Sequence, residues 1–411
     1  MERQSNALPE LLAPAGDMER LRSALLFGAD AVYLAAKEFG MRAAPANFTL
    51  EELKTAVGMA HSRGAKAYLT CNIVPTNEEA EKLPEFLEQA AGAGVDALIV
   101  ADMGVFLTAR RLFPALPLHV STQAGVTNYR TARELHALGA SRVVLARELS
   151  LEDIKTIRAK TPPELEIEAF VHGAMCVSFS GRCLLSHYLT GRDSNRGSCS
   201  QPCRWRYRLV EEKRPGEYYP IEEEDRGSFI LNAKDLCMLP YIRELAEAGI
   251  SSFKIEGRAK SAYYTAVVTG AYRQAIDLYR QDPESFVLPG WLAEEVEKVS
   301  HREYSTGFYF GPIQNGQCLE NGGYLRQWEV IAVVQGYEDG RVQCVQRGRC
   351  FPGDMVEVVS PGERPYEVKI EALLDGEGAE IASTNHAAMA FSFPLDREIP
   401  AGSLLRRKRE G

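Results

Sequence analysis

From Glu10 to Gly257 short apolar runs alternate with amphipathic stretches. The runs are 10–13, 31–35, 66–72, 97–101, 116–121, 142–146, 165–172 and 252–256. Each is the length of a buried strand and rich in β-branched or aliphatic residues. Between them, 18–27, 50–63, 78–93, 132–138, 151–159 and 239–248 place apolar residues at helical spacing. Gly28, Gly64, Gly94, Gly139 and Gly249 each stand just ahead of the next run, where a left-handed residue closes a helix. Eight strands separated by helices predict an α/β protein with a (β/α)8, TIM-like barrel; a doubly wound open sheet is the alternative.

The alternation breaks between the seventh and eighth runs. There 205–211 and 228–232 read as antiparallel strands flanking an acidic connection, 212–226, in an insertion (about 173–237) rising from the barrel rim. Beyond Gly257 the pattern changes to a long helix (262–279), a linker (282–290) and a further helix (291–300). Strands follow at 307–310, 329–335, 341–345, 355–359, 366–373, 387–391 and 404–407, with turn dipeptides such as Asp339-Gly340 and Pro352-Gly353. The expected domains are therefore a barrel with its insertion (1–285), a linker and helix (286–328), and a small antiparallel β-barrel for binding (329–411).

In such a barrel, chemistry gathers at the carboxyl ends of the strands. Those positions are polar here: Ala15-Gly16-Asp17, Cys71-Asn72, Asp102, His119 with Thr122-Gln123, Arg147-Glu148, Glu168 with His172, and Glu256-Gly257-Arg258. A composition of 45% hydrophobic and 25% charged residues fits a globular protein of two or three domains. No run of about 18 apolar residues occurs, so no membrane span and a cytoplasmic location are expected. The net charge of −9 means that contact with nucleic acid must come from a local patch.

Five of the nine cysteines fall within one stretch, Cys176, Cys183, Cys199, Cys203 and Cys237, spaced Cys-x6-Cys-x15-Cys-x3-Cys-x33-Cys. Disulfides suit oxidising compartments, and residues 1–9 lack the apolar core of a secretion signal. Structural zinc favours two tight knuckles, whereas an iron–sulfur cluster accepts scattered thiolates. Iron–sulfur, zinc and buried or nucleophilic thiols all stay open on spacing. Cys71, Cys318, Cys344 and Cys350 read as ordinary core or surface thiols.

A basic island overlaps this stretch. Arg182, Arg192, Arg196, Arg204, Arg206 and Arg208 stand against Asp193 alone, with Trp205 and Tyr207 interleaved. Such a surface holds phosphates and stacks bases, or else the arginines form a solvated face over packed aromatics. The run Arg406-Arg407-Lys408-Arg409 reads as a phosphate contact or a solvated tail. No phosphate-binding glycine loop, HExxH or Gly-x-Ser-x-Gly motif is present.

The segment Glu168-Ala-Phe-Val-His-Gly-Ala-Met-Cys176, with Gly181-Arg-Cys183 and Ser186, resembles the signature of the collagenase-like U-type peptidases of bacteria. The opening Glu10-Leu-Leu-Ala-Pro-Ala-Gly-Asp17, Asn47-Phe-Thr and Lys254-Ile-Glu-Gly-Arg258 are similar to that family as well. The resemblance implies oxygen-independent hydroxylation, with a [4Fe–4S] cluster on four cysteines and, for the RNA-modifying members, prephenate as co-substrate. In length, single barrel and appended β-domain the chain is most similar to members that form 5-hydroxyuridine at the tRNA wobble position. Carried over, the ligands are Cys176, Cys183, Cys199 and Cys237, with Cys203 in reserve. His119, Gln123, Glu168, His172 and Glu256 would then contact substrate and move protons, and Arg182, Arg204, Arg206 and Arg258 would hold carboxylates or RNA phosphates. The expected partners are tRNA, prephenate, and an electron donor or protein partner. A collagen-cleaving peptidase, a hydroxylase of another RNA or a quinone precursor, and a non-catalytic RNA-binding protein are the rival expectations.

Overall fold

The computed structural model describes residues 8–40, 47–176, 183, 185–192, 199–205, 209–210, 218–219, 233–311 and 324–409. Strands and helices alternate in chain order: β1 (Glu10–Pro14), α1 (Met18–Leu26), β2 (Ala31–Ala35), α2 (Leu50–Ser62), β3 (Lys66–Cys71), α3 (Asn77–Gly92), β4 (Ala97–Val100) and α4 (Met103–Leu112). They continue with β5 (Leu118–Val120), α5 (Tyr129–Ala137), β6 (Arg142–Val144), α6 (Leu151–Lys160) and β7 (Glu166–Ala174). An insertion follows, with α7 (Leu185–Thr190), a ribbon of β8 (Leu209–Val210) and β9 (Tyr218–Tyr219), β10 (Asp235–Cys237) and α8 (Ile242–Glu247). The eighth barrel strand is β11 (Ser252–Ile255), capped by α9 (Ala262–Gln281). Neighbouring barrel strands are parallel, and β11 pairs with both β1 and β7, so the sheet closes into the expected barrel.

Local chemistry explains the alternation. Asp17, Thr49, Thr76, Asp102, Asn128 and Ser150 follow the strands and cap α1 to α6, each side chain accepting from a backbone N–H of the first turn. The capped ends mark the barrel mouth. At the other helix ends Gly28, Gly64, Gly94, Gly139 and Gly249 all have positive φ. Outward-facing apolar residues of the strands pack against the helices in one large core. Leu12, Ala31, Tyr33, Tyr68, Ala97 and Ile99, on alternate positions, form a separate cluster.

The insertion is tied back to the barrel by a strand pair that the hydrophobic pattern did not predict. β10 runs antiparallel to the projecting end of β7, with Cys237 opposite His172 and Asp235 opposite Ala174. Asp235 is buried and takes Arg302 Nε at 3.0 Å and Nη2 at 2.6 Å, so a paired charge anchors this edge. Beside it lies β12 (Tyr304–Ser305), reached through α10 (Gly290–Glu295). The strand expected at 307–310 is a turn. Strand 209–210 pairs with 218–219, while 228–232, its expected partner, lies outside the described residues.

The C-terminal unit is an antiparallel half-barrel. Its strands are β13 (Trp328–Glu338), β14 (Arg341–Gln346), β15 (Met355–Val359), β16 (Tyr366–Lys369), β17 (Leu374–Asp375), β18 (Ala390–Pro394) and β19 (Leu404–Lys408), in the order β16-β15-β19-β13-β14-β18-β17. The terminal basic run is neither a solvated tail nor a phosphate contact at its start. Arg406 is fully buried and donates to Glu295 at 2.7 Å and Glu357 at 2.6 Å, joining β19 and β15 to α10. Arg407 pairs with Glu329 at 2.9 Å and Asp354 at 2.6 Å. Among the described residues no helix is long and apolar enough to cross a membrane.

Candidate active site at the barrel mouth

The barrel interior carries a charged column where such barrels usually hold aliphatic layers. Arg142 on β6 donates to Glu10 at 2.7 Å and Glu168 at 3.0 Å, Lys254 on β11 donates to Glu168 at 2.6 Å, and Tyr68 donates to Glu10 at 2.6 Å. Glu168 has 0% exposure. Both its oxygens are engaged, which places it below the mouth as a structural counter-charge and corrects its expected place at the rim.

His119 is also inside, edge-on to Tyr68 with ring centroids 4.7 Å apart. Its Nδ1 is buried without a hydrogen-bond partner among the described residues. Burial, together with Arg142, Lys254 and Lys66, holds the imidazole well below its ordinary value of 6.5, so it is neutral when folded. The unfolded chain takes up a proton there that the folded chain refuses. The stability tied to His119 is therefore complete above pH 6.5 and is lost as pH falls. Replacing His119 with leucine should flatten the fall between about pH 6 and 5 by up to about 1.4 kcal/mol per pH unit, read from urea melts across that range.

β7 carries a bulge that re-aims its end. Opposite the step from Lys254 to Ile255 it advances from Phe170 to His172, so one extra residue enters. His172 consequently lies among Tyr264, Tyr272 and Tyr304 at centroid distances of 6.0, 5.6 and 5.2 Å, under β10 rather than in the mouth. Burial lowers it to about 3. It is a neutral packing group, and its expected rim position is corrected too. Gly173 follows with φ +105°, where a Cβ would come 2.4 Å from the Glu256 carbonyl oxygen. The Glu-x-Phe-x-x-Gly signature thus encodes a buried counter-charge, a mouth aromatic and a close approach of β7 to β11.

The mouth itself is built by Phe170, Arg147, Glu256 and Arg258. Arg147 lies 3.8 Å above the Phe170 ring, donates to the Ala174 carbonyl at 2.6 Å and stands 3.8 Å from Glu256. Arg258 is 4% exposed and donates to Thr70 Oγ1 at 3.3 Å from across the barrel. Its carbonyl oxygen lies where a Cβ on Gly16 would be, 2.1 Å away, so the loops after β1 and β11 lock together. On the opposite rim Ser121 receives Asn72 Nδ2 at 3.4 Å, and Gln123 is half-buried in the turn Thr122–Ala124. Two guanidiniums and a carboxylate over an aromatic floor suit a small molecule bearing carboxylates. Arg147 was visible only as a polar rim residue, and the signal for its role is its place one strand before the signature.

The insertion stands beside this mouth. Cys176 and Cys199 are exposed, and Cys183, Cys203 and Cys237 are half-buried. The Gln201 N–H donates to Cys199 Sγ at 3.4 Å, and burial pushes the Cys237 thiol up to about 12. Free thiols are the right donors for an iron–sulfur cluster, yet among the described residues no three His, Cys, Asp or Glu converge as metal ligands. Trp205 is 44% exposed and so is not packed beneath the arginines, while Tyr207, the other aromatic of that reading, lies outside the described residues. Arg204 ends a short 3-10 turn, with its side chain outside the described residues, as are Arg182 and Arg206.

The chain matches the family models described as Peptidase family U32 over residues 16–317 and Peptidase family U32 C-terminal domain over 326–406. It is 39% identical to the tRNA hydroxylation protein P1 of Bacillus subtilis (strain 168), over 97% of this chain and 94% of that one. It is 40% identical to the 23S rRNA 5-hydroxycytidine C2501 synthase of Escherichia coli (strain K12), over 65% of this chain and 39% of that one. A protein named collagenase from Porphyromonas gingivalis (strain ATCC BAA-308 / W83) is 33% identical, over 74% and 73% of the two chains.

Proposed function

This chain belongs to peptidase family U32, and from that membership we propose that it is an RNA hydroxylase, converting the wobble uridine of tRNA to 5-hydroxyuridine with prephenate as oxygen donor. The observation that carries the reading is the pair of guanidiniums at the mouth, Arg147 over Phe170 and Arg258 across from Thr70, beside a cysteine-bearing wall with an exposed tryptophan. Hydroxylation oxidises C5 by two electrons, balanced by the two-electron reduction of the donor that gives up its oxygen atom.

In this reading Arg147 and Arg258 orient the donor through its carboxylates, and Phe170 shields the reacting face from water. Glu256, at the mouth and 3.8 Å from Arg147, would take the C5 proton. Gln123 contacts the substrate from the far rim. Neither His119 nor His172 reaches the mouth to move a proton. Cys176, Cys183, Cys199 and Cys237 would hold a [4Fe–4S] cluster, with Cys203 in reserve, which when bound supplies electron transfer or an open iron site. An electron donor or protein partner would set its redox state.

Anaerobically purified protein should contain about four iron and four acid-labile sulfide per chain. Cys176→Ala, Cys183→Ala, Cys199→Ala and Cys237→Ala should each lose most of that iron, and Cys203→Ala should keep it. Retention by Cys237→Ala with loss in Cys203→Ala would reverse the assignment of the fourth ligand. Nucleoside mass spectrometry of tRNA and ribosomal RNA from a deletion strain, lacking also any oxygen-dependent enzyme for the same nucleoside, tests the function. Unchanged wobble 5-hydroxyuridine sinks the tRNA reading, and loss of a hydroxylated ribosomal nucleoside moves the substrate to that RNA. The collagenase relative and the exposed Cys176 favour a thiol peptidase as the second reading. Cluster-free protein that cleaves denatured collagen, and stops doing so as Cys176→Ala, would establish it.

A further inference from the structure

Away from the cysteine wall, the loop between β14 and β15 gathers features that the proposed function does not use. Residues 347–354 hold Arg347 and Arg349 against one acid, Asp354, which is already paired with Arg407 at 2.6 Å, in a chain of net charge −9. Phe351 and Met355 are 40% and 52% exposed, although each is large and apolar. The Arg349 guanidinium lies 5.1 Å from the Phe351 ring, donates to Ser383 Oγ at 3.3 Å and pairs with no acid among the described residues.

The loop is held rigidly from beneath. Cys350 is buried and its N–H donates to Thr384 Oγ1 at 3.0 Å, the Phe351 N–H donates to Asp354 at 2.9 Å, and the Arg349 carbonyl accepts from Arg407 at 3.0 Å. An exposed aromatic presented this way pays little ordering cost on binding. Its position follows from Arg347, which pairs at 3.0 Å with Glu19 in the first turn of α1. That turn starts at Asp17, next to the Gly16 that packs on the Arg258 carbonyl, so the loop belongs to the mouth face.

We infer that Arg349 and Phe351 form a second docking surface for a single-stranded loop of RNA, with one base stacked on Phe351 and a phosphate held by Arg349. A base has a π-face for the ring, and a phosphate supplies the negative charge that Arg349 lacks. A peptide partner would need acidic side chains and no stacking. With Trp205 on the insertion, the substrate would be gripped on two sides of the mouth. The inference rests on the RNA reading above.

The test is fluorescence anisotropy of the full chain with an in vitro transcribed tRNA that has uridine at the wobble position. Phe351→Ala should weaken binding about tenfold and leave the salt dependence unchanged, and Phe351→Trp should bind like the unaltered chain. Arg349→Gln should reduce the slope of log affinity against log salt by about 0.7 to 0.9. If Phe351→Leu binds like the unaltered chain, stacking is refuted. If all loop variants bind normally while Trp205→Ala is weak, this surface is overturned and the RNA reading survives. If the unaltered chain binds no tRNA, the RNA reading falls and this inference with it.

Discussion

Replacement of Glu168 by alanine is expected to destabilise the fold by about 3–5 kcal/mol, seen as a large drop in the urea midpoint, because it strands the buried Lys254 ammonium. Lys254 would lose its one ion-pair partner among the described residues, at 2.6 Å and 6% side-chain exposure, while Arg142 would keep Glu10 and Glu166 at 2.7 Å each. Glu168→Gln preserves the volume and removes the charge, so it should still cost most of this. Pairing Glu168→Gln with Lys254→Met replaces an ion pair by an amide and an apolar chain, and should recover much of the loss, as paired removal does when each single change leaves an unbalanced charge. The contrary outcome is informative. If Glu168→Gln keeps the midpoint and abolishes hydroxylation, the carboxylate is a catalytic group and the counter-charge account is wrong.

The barrel was legible because its strands and helices differ in apolar period and are punctuated by side-chain caps and by glycines that the structure places at positive φ, from Gly28 (95°) to Gly249 (78°). Its charged column was hidden by the same rule. A lone Glu or Arg inside an apolar run reads as a strand end, so Arg142 gave no sign that it faces Glu10, 132 residues earlier. Direction failed at His172 for a different reason, since one bulge residue turns a side chain from the lumen to the outer face and leaves composition unaltered. The basic terminus misled because the acids that bury Arg406, Glu295 and Glu357, lie 111 and 49 residues away. Exposed or buried is a property of partners, and distant partners leave no local pattern.

Arg258 carries the strongest expectation for turnover. Under the proposed function, Arg258→Ala should raise KM for the carboxylate oxygen donor by about 10- to 100-fold, the worth of one charge-assisted, paired hydrogen bond, and leave KM for tRNA unchanged. Arg258→Lys should recover only part of this, because an ammonium cannot match both oxygens of a carboxylate at once. The side chain is 4% exposed and already lies across the mouth on Thr70, so little ordering is needed before it binds. Thr70→Val removes that brace but not the charge, and should therefore raise donor KM by less than Arg258→Ala does. A rise in KM for tRNA with donor KM unmoved would instead put a phosphate at this guanidinium. The carboxylate donor would then belong to Arg147, whose replacement by alanine would have to show the donor effect in its place.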